Sequence, residues 1–336
     1  MNFSREILYH RHRLSHQQID QLLGEQKSGE YLAEKLAQME QLREFFRITN
    51  ALKEEGVEFI CLKGPLLSQR IYGDPTFRYY KDFDLLVSPE KITQAILIFH
   101  SLGYQPDYFI WPQAALREQL VLGHLNQYPL TNPVNGINVE LHWRLFGNLL
   151  KNEGIQKSLI KENQEKISMG GRSYTQFTHE FELLYLVIHG GLHGWRRLKW
   201  LVDINEMLKR FPLDENQFKK LSKKLKAHRI VSVCNEILRE FFPETRLLPC
   251  SENPRPFLVK FSRESIHRET EELSKSFPET LKRARFKLSA FPGLRYKLSA
   301  FRFSTFTQKE VNEDWFPPYP LLVILQRLWN KVFKGK

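Results

Sequence analysis

The stretch RYYKDFDLLV, residues 78–87, restricts the backbone more tightly than any other part of the chain. Its apolar residues alternate, and on a strand successive side chains point to opposite faces. Phe83, Leu85 and Val87 then share a core-like face, while Asp82 and Asp84 share the other. Two carboxylates that close raise each other's pKa unless a cation neutralises them. The alternative is a strand edge whose two acids are simply solvated.

The flanking segments supply further elements. VEFICL, residues 57–62, reads as a strand of β-formers after a helix that stops at Gly56. Gly64-Pro65 then opens a helix, PLLSQRIYG, with Pro65 at its first position. SPEKITQAILIFHSLGY reads as a helix with Ser88 as N-cap and Gly103 ending it. INVELHWRLF, residues 137–146, reads as another strand, entered through the turn NPVNG. Residues 5–50 read as helical, as do residues 178–245 throughout. Beyond 250, Pro-containing loops alternate with basic aromatic stretches. Helix first, then strands mixed with helices, then helices again: this order argues an α+β fold with a helical second half. The pentapeptide KLSAF occurs at 287–291 and again at 297–301, too few copies for a repeat architecture.

Charge is unevenly spread. Residues 281–336 hold twelve Lys and Arg against Glu310, Glu313 and Asp314, and so carry +9 of the formal +12. Such a surplus suits an anionic partner, such as phosphates, nucleic acid or lipid headgroups, or else forms a solvated basic face. Within it, YPLLVILQRLWNKVFKGK is amphipathic as a helix, with Leu321, Leu325, Leu328, Trp329 and Val332 on one side. It would dock on the body of the protein or lie at a membrane interface. No apolar run approaches the roughly 20 residues that span a bilayer. The N-terminus lacks a signal-peptide core, and three widely spaced cysteines form neither a disulfide framework nor a zinc pattern. The expected location is therefore the cytoplasm, with peripheral membrane contact through the C-terminal segment as the alternative.

Three features converge on one chemistry. CLKGPL is a strand, a glycine turn and a helix N-terminus, an arrangement suited to phosphate oxygens. Asp82-x-Asp84 follows on the next strand. Glu140, in NVELHW, sits on a later strand and shares its face with His142. Three carboxylates from two adjacent strands beside a phosphate turn would hold two Mg²⁺ ions, with Mn²⁺ as the alternative. Two such ions about 4 Å apart stabilise both the attacking and the leaving oxygens of an in-line displacement.

The segment LKGPLLSQRIYGDPTFRYYKDFDLLV resembles the signature of the polymerase-β-type nucleotidyltransferase superfamily. With NVELHWRLF at 138–146 and HGGLHGWRRLKWLVDI at 189–204, in that order, the chain is similar to a family of uncharacterised bacterial nucleotidyltransferases. The resemblance covers residues 40–245 and implies a short mixed sheet flanked by helices. It divides the chain into an N-terminal helical segment (1–50), a nucleotidyltransferase core (51–150), a helical domain (151–250) and the basic C-terminal segment (251–336). It implies Asp82 and Asp84 as metal ligands, and Glu140 as a third ligand or the base that activates the acceptor. Gly64 would let the backbone approach the triphosphate of an NTP, with Lys63 and Arg78 as phosphate contacts. Pro65 departs from the superfamily, which has Ser there; the hydroxyl and N–H of that residue are lost as donors. His142, His189 and His193 are candidates for the shell around the site. The last two stand at i and i+4, but Gly190 and Gly191 between them suggest close packing rather than zinc. The implied reaction is transfer of a nucleoside monophosphate to an unidentified acceptor. Two other readings remain open: a glycosyltransferase using the Asp82-x-Asp84 pair, and an inactive nucleotide- or anion-binding module on the same fold.

Overall fold

The structure is a computed structural model and describes residues 3–25, 29–146, 153–268, 270, 276–294 and 296–298. After a short π-helical turn at Ile7–Arg11, the helices are α1 (His16–Leu23), α2 (Glu30–Glu54), α3 (Pro65–Tyr72), α4 (Ile92–Ser101), α5 (Ala115–His124), α6 (Glu153–Glu162), α7 (His179–Leu192), α8 (Leu198–Arg210), α9 (Glu215–Lys224), α10 (His228–Phe241), α11 (Pro256–His267) and α12 (Phe277–Ala290). The strands are β1 (Phe59–Cys61), β2 (Asp82–Val87), β3 (Gln105–Pro106), β4 (Gln127–Thr131), β5 (Asn138–His142), β6 (Gln164–Met169) and β7 (Arg172–Phe177). This is the α+β class expected. Among the described residues no helix is long and apolar enough to cross a membrane.

The chain forms two compact units, each discontinuous in sequence. The first comprises the described residues of Met1–Glu44, Leu62–Tyr80 and Leu159–Gly293. The second comprises those of Phe45–Cys61, Lys81–Ser158 and Leu294–Lys336.

A five-stranded mixed sheet, in the order β1-β2-β5-β4-β3, organises the second unit. β2 and β5 pair in parallel, and the other pairs are antiparallel. Parallel neighbours need a crossover, which here is the chain through α4, β3, α5 and β4. On β2 the expected core face holds, with Phe83 and Leu85 fully buried, but the opposite face is closed as well, and every residue from Phe83 to Val87 is buried, Asp84 included. Phe45 of α2 meets Phe83 edge-on, with ring centroids 5.4 Å apart. The turn NPVNG joins β4 to β5, and Gly136 supplies the positive φ of 68° that the turn requires. Trp111, Tyr128 and Trp143 form edge-on contacts, and the Trp143 indole N–H donates to the Leu122 carbonyl.

The first unit is helical apart from the β6–β7 hairpin. The single polar helical stretch expected near the N-terminus is broken there. Ser15 caps α1 in a reciprocal capping box with Gln18, and Gly24 ends the helix in the left-handed region. The helices α7 to α10 fill the span expected to be helical. Gly190 and Gly191 confirm close packing: a Cβ on Gly190 would lie 2.4 Å from the Trp195 ring, and one on Gly191 2.4 Å from Ile230. The loops expected beyond 250 are replaced in part by α11 and α12. Pro256 and Pro278 stand in the first turns of those helices, where their missing N–H costs nothing. The terminal amphipathic helix and most of the second KLSAF copy lie outside the described residues.

Candidate functional site

The carboxylate face is built by strand register. β2 and β5 run side by side with Asp82 opposite Asn138 and Asp84 opposite Glu140. Parallel pairing in this register puts side chains of matching parity on one face, so Asp84 and Glu140 meet across the ladder. Asp84 is only 3% exposed. His142, two residues beyond Glu140, lies on that face as well. Its Nε2 is 3.1 Å from Asp84 Oδ1 and 3.3 Å from Glu140 Oε2.

One ligand atom from each of Asp84, Glu140 and His142 lies within 4.8 Å of the other two. The two acids can coexist because of the histidine. Burial works against a charge on the His142 imidazole, yet the Asp84 and Glu140 carboxylates outweigh it and raise its pKa to about 9. Burial pushes the Glu140 carboxyl up, opposed by the hydrogen bond from His142, and the charges of Asp84 and Asp82 push it further. Asp82 is therefore near enough to act on Glu140, although it stands outside the close cluster of three.

The donor set is two carboxylates and an imidazole on adjacent strands, and it fits a divalent cation. Carboxylate oxygens suit Mg²⁺ or Mn²⁺, and an imidazole is tolerated by Mn²⁺ more readily than by Mg²⁺. His142 was foreseen as a partner to the ligands; the structure brings it directly between two of them.

The other residues singled out in the sequence belong to the first unit. Gly64 holds φ 73° and ψ −142°, a conformation essentially restricted to glycine, and forms the N-cap of α3 with Pro65 following. The glycine turn read from the sequence is thus a real backbone requirement. Lys63 Nζ lies 3.5 Å from His189 Nε2. His189 and His193 are neighbours, with ring centroids 4.6 Å apart, and His193 stacks on Trp200. His193 keeps an open edge. The packing around its ring, followed by the charges of Arg196, Lys63, Lys287 and Arg197, pushes its pKa down. A neutral His193 imidazole is what this surrounding favours.

Arg78 is engaged from within. Its Nε lies 2.9 Å from both carboxylate oxygens of Asp203, and the two residues are 2% and 0% exposed. Its backbone N–H donates to Ser68 Oγ, which in turn donates to the Asp74 carbonyl. These bonds fix the segment after α3. Asp203, on α8, is thus the ion-pair partner of Arg78. Among Arg196, Arg197 and Lys199, Lys199 donates to the Tyr79 carbonyl at 2.7 Å.

No curated protein matches the chain. One solved structure, that of an antigenic nucleotidyltransferase-like protein from Paracoccidioides brasiliensis, is similar over 59% of this chain and 87% of its own, with 16% identity and a TM-score of 0.35. The family model described as uncharacterised nucleotidyltransferase matches residues 6–243, and the chain belongs to that family.

Proposed function

We propose that the protein is a nucleotidyltransferase that moves a nucleoside monophosphate from an NTP to an acceptor hydroxyl or similar nucleophile, releasing pyrophosphate. Membership of the family supports nucleotidyl transfer in general. The observation that carries the finer reading is Asp84 facing Glu140 across parallel strands, with His142 within 3.3 Å of both. That arrangement sets two carboxylates side by side with their charge balanced by the His142 imidazolium, a role that a divalent cation would take over.

In this reading Asp84 and Glu140 would hold Mg²⁺, with Asp82 contributing from the strand start and His142 able to join them only on giving up its proton. A bound divalent cation supplies charge neutralisation at the transferring phosphate. Gly64 lets the backbone approach the triphosphate, and Lys63 gives it a charge-assisted hydrogen bond. Arg78 acts indirectly, anchored by Asp203 so that the segment leading into β2 keeps its place. The chain's own part in catalysis is then mostly positioning and charge stabilisation, as is usual for phosphoryl transfer. Cys234 and Cys250 are free thiols, which suits a reducing cytoplasm.

The test is a thermal-shift titration with each NTP, with and without Mg²⁺, beside an Asp82→Ala/Asp84→Ala variant. A ligand at 100 times its dissociation constant adds about 2.7 kcal/mol of stability. Stabilisation of the wild type that needs Mg²⁺ and is lost in the variant is the expected result. A shift independent of both metal and carboxylates would leave a nucleotide-binding module, and no shift at all would remove the reading.

A further inference from the structure

A cavity that shares no lining residue with the carboxylate cluster lies wholly within the first unit. It encloses about 360 Å³, within the range of small-molecule sites. The end of α1, the last residue of α3, one face of α8 and the chain after α10 converge on it. Its apolar lining includes Leu22, Val202, Phe241 and Phe242, while the Tyr72 ring is already covered by Phe77, stacked with centroids 4.3 Å apart, and by the Arg210 guanidinium 5.4 Å from its centroid.

Its polar side is preorganised around one carboxylate. Gln21 Nε2 donates to Glu206 Oε2, and Asn205 Nδ2 donates to Glu206 Oε1, each at 3.0 Å. Arg210 Nε lies 3.2 Å from Glu206 Oε2, and Lys209 Nζ 3.9 Å from Oε1. Thr245 Oγ1 donates to Asn205 Oδ1. The carboxylate is thus saturated, and Asn205 and Glu206 are 2% and 7% exposed. Tyr72 Oη accepts from Gln18 Nε2 at 3.0 Å. Burial, then the charges of Asp203 and Glu206, push the Tyr72 phenol up, so its hydroxyl keeps its proton. Among the described residues no acceptor lies within reach of that proton.

Three properties follow for a ligand. Aromatic walls call for a ring with an apolar face. The charges cancel, with Glu206 and Glu244 set against Lys209 and Arg210, so nothing selects a strong anion or cation. What remains is a hydroxyl proton, second amide hydrogens on Gln21 and Asn205, and the lone pairs of Thr245. Groups that both donate and accept match such a mixed set. We propose that this cavity binds a sugar, alone or as part of a larger molecule, by laying its apolar face against Phe241 and Phe242 and bonding its hydroxyls to Tyr72, Gln21, Asn205 and Thr245. The inference is independent of the nucleotidyl-transfer reading.

The experiment is calorimetric and thermal-shift titration of the full-length protein with glucose, galactose, N-acetylglucosamine and ribose, and with inorganic phosphate and spermidine as charged controls. At least one sugar should bind saturably. Val202→Trp, which fills the cavity, should abolish that binding. Tyr72→Phe, which removes only the hydroxyl, should weaken it about 2- to 10-fold. If Val202→Trp does not fold, the Tyr72→Phe result decides alone. No sugar binding, sugar binding unchanged in the variants, or binding only of phosphate or spermidine would each overturn the proposal.

Discussion

Replacing His142 by Gln should destabilise the protein in the absence of divalent cations, and Mg²⁺ should reverse most of that loss. The substitution keeps a side-chain N–H but removes the positive charge held 3.1 Å from Asp84 and 3.3 Å from Glu140. The two carboxylates then face each other with ligand atoms no more than 4.8 Å apart. Two unit charges at that distance repel by about 3.5 kcal/mol at an effective dielectric near 20. The pair can escape only by taking up a proton. Keeping a carboxyl protonated at pH 7 against an ordinary value near 4.5 costs about 3.4 kcal/mol, which caps the penalty at a similar size. Glu140 is 30% exposed, so solvent screening reduces the expected loss to about 2–3 kcal/mol. Urea unfolding followed by circular dichroism, once in EDTA and once in MgCl₂, reads both halves of the prediction. The variant should gain more from Mg²⁺ than the wild type, because the ion replaces the lost charge. A variant as stable as the wild type in EDTA refutes the charge-bridge account. A loss that Mg²⁺ leaves unmoved refutes the cation site.

Asp203→Ala should cost about 3–5 kcal/mol, because it strands the Arg78 guanidinium in the interior without a counter-charge. The double variant Arg78→Met/Asp203→Leu should recover most of this in the same urea assay, and a double variant no better than the single one would show that the ion pair is not the cause. Glu34 supplies a pH test. Burial raises its pKa to about 7, against the pull of the hydrogen bond from the His16 backbone. The folded chain therefore binds the proton more tightly than the unfolded chain. That stability is fully present below pH 4.5 and lost as the pH rises through 7. Because the residue is only part-buried, Glu34→Gln should shrink the fall in stability between pH 5 and pH 8 by about 1–3 kcal/mol; identical pH profiles would contradict the assignment.

The carboxylate face could be read early because a strand's two-residue period is local. Asp82, Asp84 and Glu140 reveal their shared parity without knowledge of their neighbours. What the sequence does not contain is register. Placing Asp84 opposite Glu140 depends on the ladder between β2 and β5, strands 56 residues apart at their starts. Only that ladder brings His142 between the acids. Glycine chemistry was legible for similar reasons at Gly64 and Gly136, where the signal and the structure lie within a few residues of each other. The helices at Pro256 and Pro278 were misread because proline opens a helix as readily as it interrupts one. The hairpin β6–β7 escaped notice, since its strands are largely exposed on β6 and offer little alternation. Arg78 shows the opposite difficulty. A lone arginine near an acidic motif suggests phosphate, and only the fold reveals that Asp203, 125 residues away, holds it.

The discontinuity of the two units has a consequence for how the protein is made. Residues Met1–Glu44 belong with Leu159–Gly293, and 115 positions separate Glu44 from Leu159. At about 5–20 residues per second, a ribosome takes about 6–23 s to cover that gap. All five strands of the mixed sheet lie between Phe59 and His142, so the sheet can close during the wait. The N-terminal segment is completed in two stages: Ser15 and Gln18 find Phe77 and Tyr72 early, whereas Arg11 and Gln21 must wait for Arg196 and Glu206.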